Sequence, residues 1–410
     1  MKEEGALFIM PRSSKAWKGA EALWVTVAGW SSAAERIIGK AYVLTTDRIA
    51  VPLEVIDYPL GTGTIKQQSK FKRYTKWMPL TLLNLLKDIL LWYHAYKHNN
   101  YSYDLPLEKE NIKFIWEQHD LFSGPGRKLA NELKVPLITY VHAPVVWEAR
   151  KWGVKRPIWG WFLELFGEAQ SLKKADVVAC VSEQVRNKVI KMGVSKEKVI
   201  VSAMSVDPNL FSNRSKQQAL VARYSLKDKT VVGWTGSFRS FHGLEILLNA
   251  FEMAYKDDKN LALMLVGDGS ERGALENIVR EKGLEKTVIF TGRKKFSNIP
   301  DYINLFDIAI VSARSASDFH YSPLKLREYL IAKKSTIAPS AGEIISNFKH
   351  NKHLRFYEAG NQDSLKSAIV DLASNSKLRE ELGNEGFKLV NEKGTWDYEL
   401  KKVLQHYEKI

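Results

Sequence analysis

In the stretch DFHYSPLKLREYLIAKKS, residues 318–335, a lysine and a carboxylate, Lys325 and Glu328, stand just inside what reads as the start of a helix. Side chains three positions apart lie on one helical face. Serine is a favoured N-cap, and proline suits the first helical position because its missing N–H is not needed there. The helix is therefore expected to open at Ser322-Pro323, with Leu324 in its first turn. The unsatisfied N–H groups and the dipole of such an end favour an anion, and Lys325 adds a full positive charge in the same turn. The chemistry suggested is the holding of a phosphate group.

Other loops that follow apolar runs carry further polar residues. VVGWTGSFRSFHGLEILLNAF places Gly236 and Ser237 in a glycine turn, then Arg239, His242 and Gly243 ahead of a helix starting near Leu244. Small residues let a backbone approach a ligand, and the arginine fork can hold a diphosphate through paired donors, although such loops also serve as plain connections. LALMLVGDGSERGAL, with Gly267-Asp268-Gly269, lacks the full spacing of a dinucleotide fingerprint and reads as a tight structural turn close to a ligand. Arg293 and Lys294, at the tip of TVIFTGRKKF, either face phosphate or are solvated loop charges. His142, at the end of VPLITYVHA, either bonds a sugar hydroxyl or the reacting centre, or is a satisfied core histidine. There is no cysteine pair, no clear D-x-D and no nucleophilic triad. What remains is stabilisation of a diphosphate leaving group by fixed cations and helix dipoles, with no metal and no cofactor.

The elements that must position these residues are legible as alternation. Short apolar runs such as ALFIM, AYVLTTD, LEVIDY, IKFIWEQH, DVVACVS, KVIVSAM, IAIVSA and KSTIAPS are separated by helical patterns, the signature of α/β domains with parallel sheets covered on both faces. A chain of 410 residues suits two such domains. The polar segment 205–230 is read as the connection, giving an N-terminal Rossmann-like domain over 1–205 and a C-terminal Rossmann-like domain over 206–385. A terminal helix over 386–410, with Trp396, Leu400, Val403 and Tyr407 on one side, is expected to pack back towards the first domain. In doubly wound sheets ligands bind at the carboxyl ends of the strands, so the two domains are expected to face a central cleft.

Composition narrows the partners. Hydrophobic content of 45% and charged content of 26% are those of a soluble globular protein, while a net charge of +15 points to nucleic acid, an anionic membrane surface or a phosphorylated substrate. The basic residues are spread over both halves and no base-stacking module is recognisable, which argues against nucleic acid. The N-terminus lacks a signal h-region, and the single Cys180 lies in an apolar run, so a cytoplasmic protein is expected. Residues 76–98, KWMPLTLLNLLKDILLWYHAYKH, follow the basic KQQSKFKRYTK but are interrupted by Asn84, Lys87 and Asp88. They read as a helix packed on a sheet or as an amphipathic surface resting on anionic lipid, not as a spanning segment.

The ordered segments VDPNLF, GSFRSFHGLEILLNAF, LVGDGSERGALENIVREKGLEKTVIFTGR and SPLKLREYLIAKKSTIAPSAGE resemble the GT-B-fold retaining glycosyltransferases of the family 4 type. The similarity is densest over 176–340 and diffuse over the first 110 residues. The resemblance implies two Rossmann-like domains, the first acceptor-binding and the second nucleotide-sugar-binding, and transfer of a hexose-type sugar from a nucleotide-diphosphate donor to an acceptor hydroxyl, with domain closure excluding water. It assigns Glu328 to the donor ribose as the second of the family's glutamate pair, whose first member here falls on His320. It places Ser322, Leu324 and Lys325 in a phosphate-contacting turn, Gly236, Ser237 and Arg239 in the phosphate loop, and His142 near the donor sugar. His242 stands where a lysine often precedes the glycine, moving charge to Arg239 and Lys325. The basic, aromatic stretch 66–98, with Trp147, Trp152, Trp159 and Trp161, suggests a saccharide or lipid-linked acceptor at the inner face of a membrane, in cell-envelope or polysaccharide synthesis. Alternatives are a nucleotide-sugar epimerase and a catalytically silent binding protein, the latter prompted by His320 and His242.

Overall fold

Apolar strands alternating with helices divide the chain into two α/β units, Met1–Ala203 with Glu399–Ile410, and Met204–Tyr398. The computed structural model describes residues 4–13, 21–56, 78–99, 104–105, 107–122, 124–212, 214–317, 319 and 321–410.

Unit 1 holds β1 (Gly5–Ile9), β2 (Lys40–Leu44), β3 (Ile49–Ala50), β4 (Ile112–Gln118), β5 (Leu137–Val141), β6 (Val177–Cys180) and β7 (Val199–Val201), in the order β3-β2-β1-β4-β5-β6-β7. β2 and β3 pair antiparallel; the other neighbours are parallel. Every residue of β1, β5 and β6 is buried, as a parallel sheet covered on both faces requires. Cys180 is buried within β6.

Unit 2 holds β8 (Thr230–Ser237), β9 (Leu261–Asp268), β10 (Val288–Gly292), β11 (Ile308–Ile310), β12 (Ser335–Pro339) and β13 (Arg355–Tyr357), all parallel, in the order β10-β9-β8-β11-β12-β13. Alternate residues feed opposite cores: Val231 and Ala309 join Phe306 and Tyr329, whereas Val232 and Ile310 join Trp234 and Phe251. In both units the strand order reverses beside the first strand, between β1 and β4 and between β8 and β11. Those reversals are where doubly wound sheets open a crevice.

Several local expectations are corrected. The described part of LEVIDY, residues 53–56, is not a strand: Pro52–Val55 is a short helix that begins at its proline, and the strand is the preceding Ile49–Ala50. Residues 205–230 are no loose connection, since Val206, Phe211 and Leu226 are buried in a unit 2 core and two short helices, Pro208–Phe211 and Gln218–Arg223, form there. The C-terminal region is two helices, Ser376–Lys393 and Trp396–Tyr407. Within unit 1, Glu399 accepts from Ser202 Oγ at 3.0 Å and His406 bonds the Glu197 carbonyl at 2.7 Å.

The helix carrying Lys325 and Glu328 runs Leu324–Ile331, and Pro323, not Ser322, is its N-cap. Ser322 donates to Glu343 Oε1 at 2.7 Å and accepts from Arg327 Nη1 at 2.9 Å, while Arg327 forks onto both Glu343 oxygens at 2.9 and 3.1 Å. A charged acceptor in a buried setting outcompetes a backbone N–H for the serine hydroxyl. Burial alone would raise Glu343, but the Arg327 charge and the bonds from Arg327, Ser322 and Asn347 hold it below the usual carboxylate range. A second anchor joins the helix to β8: Thr235 N donates to Tyr329 Oη at 2.8 Å, and the two hydroxyls are 2.9 Å apart.

Breaking this pair leaves a buried charge. Glu343→Ala is expected to lower unit 2 stability by about 3–5 kcal/mol at neutral pH in chemical denaturation, with Glu343→Leu plus Arg327→Met costing much less. Because the folded pKa of Glu343 is depressed, its contribution disappears as pH falls through that value, and the gap between wild type and Glu343→Ala narrows in acid.

Candidate functional site

β8 ends at the switch point of unit 2 with Thr235-Gly236-Ser237. Gly236 has φ +144°, and a Cβ there would lie 2.9 Å from Lys325 Nζ, so glycine gives the amine its place against the strand. That amine sits 3.7 Å from the centroid of the Trp234 ring. The lysine stem is partly accessible, but the amine is buried and has no hydrogen-bond partner among the described residues. Trp234 is itself fixed, its Nε1–H donating to Ser312 Oγ at 2.9 Å.

Glu328, one turn along, is 6% exposed. Burial pushes Lys325 down to about 7, opposed by the Glu328 charge, and pushes Glu328 up to about 7, opposed by Lys325. Each group is therefore close to losing its charge at neutral pH, and an anion arriving beside Lys325 would restore the ammonium form. Burial also holds His242 well below its usual range, helped by the charges of Lys325 and Arg239. Its ring lies 5.3 Å from Trp234 and 4.2 Å from Phe241. His242 is thus a neutral packing group that adds no charge to the site.

The loops after β8 and β11 meet at the switch point. Gly243 adopts φ +61°, a Cβ there would approach Arg314 Cα to 2.9 Å, and Arg314 N donates to the Phe241 carbonyl at 3.3 Å. Arg239 is exposed on the β8 loop, its N–H donating to the Ser237 carbonyl at 3.0 Å. Gly267 pairs with Gly236 across β8 and β9, and a Cβ there would fall 1.8 Å from the Gly236 carbonyl oxygen, so its place is structural. Arg293 is exposed one residue beyond β10 and starts two strands from β8, while Lys294 turns onto the Tyr302 ring at 5.2 Å. His320 lies outside the described residues. The structure thus gathers Gly236, Lys325 and His242 around Trp234 with Glu328 one turn further along the helix, draws the Ser322 hydroxyl into the Glu343 ion pair, and starts Arg293 at a distance.

In unit 1, His142 directly follows β5, and its Nε2 is buried without a hydrogen-bond partner among the described residues. Burial, partly offset by Glu148, pulls its pKa down to about 4, leaving a neutral imidazole. The backbone after it is clamped by Glu168, which accepts from Val145 N and, at 3.0 Å, from Val146 N at the start of the helix Val145–Lys151. Glu168 Oε1 also lies 2.9 Å from His119 Nε2, and both side chains are almost wholly buried. Arg12, after β1, pairs with Asp120, after β4, at 3.0 Å across that unit's switch point. A surface hollow of about 490 Å³ lined by Arg127, Pro136, Asp176 and Tyr407 lies at the opposite, amino end of β5 and β6 and contains none of these groups. Among the described residues no three His, Cys, Asp or Glu side chains form a metal-ligand set.

Trp234, His119 and Glu168 were not among the expected site residues. Trp234 reads as one more apolar strand residue, and Glu168 as a charge in an aromatic run; their partners lie far away in sequence.

Known proteins share this architecture. The Glycosyl transferases group 1 family matches residues 217–389, and Glycosyltransferase Family 4 matches residues 71–210. The chain is 23% identical to an uncharacterized glycosyltransferase of Methanocaldococcus jannaschii, over 80% of this chain and 92% of that protein. It is 19% identical to N-acetyl-alpha-D-glucosaminyl L-malate synthase of Bacillus anthracis, over 87% and 92%. In fold it is similar to Anabaena HepE, solved with UDP and glucose, at a TM-score of 0.62 and 14% identity over 99% of both chains. It is also similar to sucrose-phosphate synthase of Thermosynechococcus elongatus, at 0.64 and 17% over 99% and 98%. Two parallel α/β units with matching switch points, and family matches along most of the chain, lead to one conclusion: residues 71–210 belong to Glycosyltransferase Family 4 and residues 217–389 to the Glycosyl transferases group 1, on a GT-B fold.

Proposed function

We propose that the protein transfers a hexose-type sugar from a nucleotide-diphosphate donor to an acceptor hydroxyl with retention of anomeric configuration and without a metal. The single observation that carries the reading is the buried Lys325 amine, without a hydrogen-bond acceptor among the described residues, at the start of a helix on the unit 2 switch point. A diphosphate supplies the missing acceptor and the missing countercharge, and the helix N–H groups supply further donors. In the reaction the bond from sugar carbon to diphosphate oxygen breaks, the acceptor oxygen bonds that carbon on the same face, and the acceptor proton passes to the departing phosphate. Fixed positive charge stabilises the negative charge that develops on the leaving group. Glu328 is suited to the donor ribose hydroxyls. The neutral His142 can exchange a hydrogen bond with a sugar hydroxyl. Structures of Anabaena HepE with UDP and UDP-glucose supply the favoured donor class. The acceptor we propose is a saccharide, lipid-linked, met by a cytoplasmic protein resting on an anionic membrane.

Four outcomes test this. In a thermal-shift panel of nucleotide sugars, one donor is expected to stabilise the protein by about 2.7 kcal/mol at about 100 times its dissociation constant. Lys325→Ala and Glu328→Ala should each weaken that donor by roughly tenfold or more, from a lost charged hydrogen bond of about 1.5–3 kcal/mol; unchanged affinity in both would defeat the assignment. His142→Ala should leave donor affinity within about twofold while slowing transfer by roughly 100-fold, as loss of a polar contact at the reacting group does. Finally, affinity for a nucleotide sugar, whose phosphates do not titrate near neutrality, should fall as pH rises through about 7, where Lys325 loses its proton. Lys325→Arg, permanently charged, should flatten that profile.

A further inference from the structure

The helix Leu80–Asn99 has an inward stripe and an apolar outward one. Asp88, Leu91 and Ala95 point in and are buried or half-buried, whereas Ile89, Trp92 and Tyr93 are 51%, 54% and 45% exposed. The helix is locked by its only acid: Asp88 accepts from Arg156 Nε and Nη2 at 2.8 and 2.9 Å and from Trp159 Nε1 at 3.0 Å. Asn84 Nδ2 adds a bond to the Lys155 carbonyl at 3.2 Å. These bonds bring a second apolar segment alongside, in which Ile158, Trp161 and Phe166 are 84%, 57% and 64% exposed. Single exposed apolar residues are ordinary; two adjoining clusters rich in aromatic rings are not.

The surrounding charge selects the occupant. Over residues 78–99 the one carboxylate is the buried Asp88, and over 149–166 the one carboxylate is the half-buried Glu164, neutralised by its ion pair with Lys188, while Lys87, Lys97, Arg150 and Lys155 are exposed. A second copy of the chain would present the same cations and be repelled. A surface with negative headgroups over an apolar interior matches both features. No helix among the described residues is long and apolar enough to cross a membrane.

We propose that the outward face of Leu80–Asn99 and the adjoining segment 158–166 form a docking surface for an anionic lipid bilayer, with the rings entering the headgroup layer and the lysines and Arg150 meeting lipid charge. This deepens the reading of a lipid-linked acceptor and rests on it only for its purpose. The surface also adjoins the site: the π-helical turn Leu163–Glu168 carries Phe166 outward and ends in Glu168, which holds the backbone after His142.

The test is flotation of the full chain with phosphatidylcholine vesicles, with and without phosphatidylglycerol, alongside donor thermal shift. Wild type is expected to float with the phosphatidylglycerol vesicles at low salt and far less with phosphatidylcholine alone. Trp161→Glu with Phe166→Glu should cut partitioning by at least roughly tenfold, and Lys87→Glu with Lys155→Glu should do the same for the anionic vesicles alone, both with the donor shift retained. Quenching of tryptophan fluorescence by brominated lipid reads insertion in the unaltered protein, so a poorly folding variant does not decide the matter. Absence of wild-type flotation and quenching, binding unchanged in both variants, or a dimer dissociated by the aromatic substitutions would each overturn the proposal. Flotation without any donor shift would instead remove the transferase reading and leave the docking surface standing.

Discussion

An amine buried against an aromatic face, with no oxygen among the described residues to receive its protons, is held away from its preferred state. Each unit of pKa depression corresponds to about 1.4 kcal/mol, so Lys325, brought from 10.5 to about 7, carries an unfavourable charging energy on the order of several kcal/mol. The cation–π contact with Trp234 returns only about 1–2 kcal/mol of that. Unit 2 nevertheless invests heavily in keeping the amine there: Gly236 clears its space, Ser312 orients the indole, Tyr329 ties the helix to β8, and the Arg327–Glu343 pair anchors the helix below. Such an arrangement is intelligible when a strong anion completes it.

The polar group at the unit 1 switch region is built differently. There Glu168 is a fully bonded buried carboxylate, satisfied by two backbone N–H groups and His119, while the neutral His142 and the Gln118 amide have no hydrogen-bond partner among the described residues. Charge is settled internally in one unit and left to be completed in the other. This division fits a chemistry in which one substrate is a diphosphate and the other a hydroxyl compound.

Much of this was readable in the sequence, and what was not has identifiable causes. The strands declared themselves because parallel sheets demand unbroken apolar runs, and the helix at 324 because proline punctuates its start. The N-cap was misplaced because Ser322 is claimed by Glu343, 21 residues further on, a tertiary competition that local rules do not contain. LEVIDY misled because a β-rich composition followed Pro52, whose fixed φ began a helical turn instead. The polarity of 205–230 hid Phe211 and Leu226, and the three-residue β13 was too short to show a pattern. Lys325 and Glu328 were named from spacing, but the burial that makes them chemically unusual came from Trp234, whose indole looked like ordinary strand filling.

The central claim is that the Lys325 amine awaits a diphosphate, and a crystal structure of the protein with its preferred nucleotide sugar tests it most directly. The account predicts a phosphate oxygen within about 3 Å of Lys325 Nζ, with the helix start at Leu324 facing the same group. A nucleotide bound in full occupancy elsewhere, with Lys325 still resting on the Trp234 ring, would contradict it.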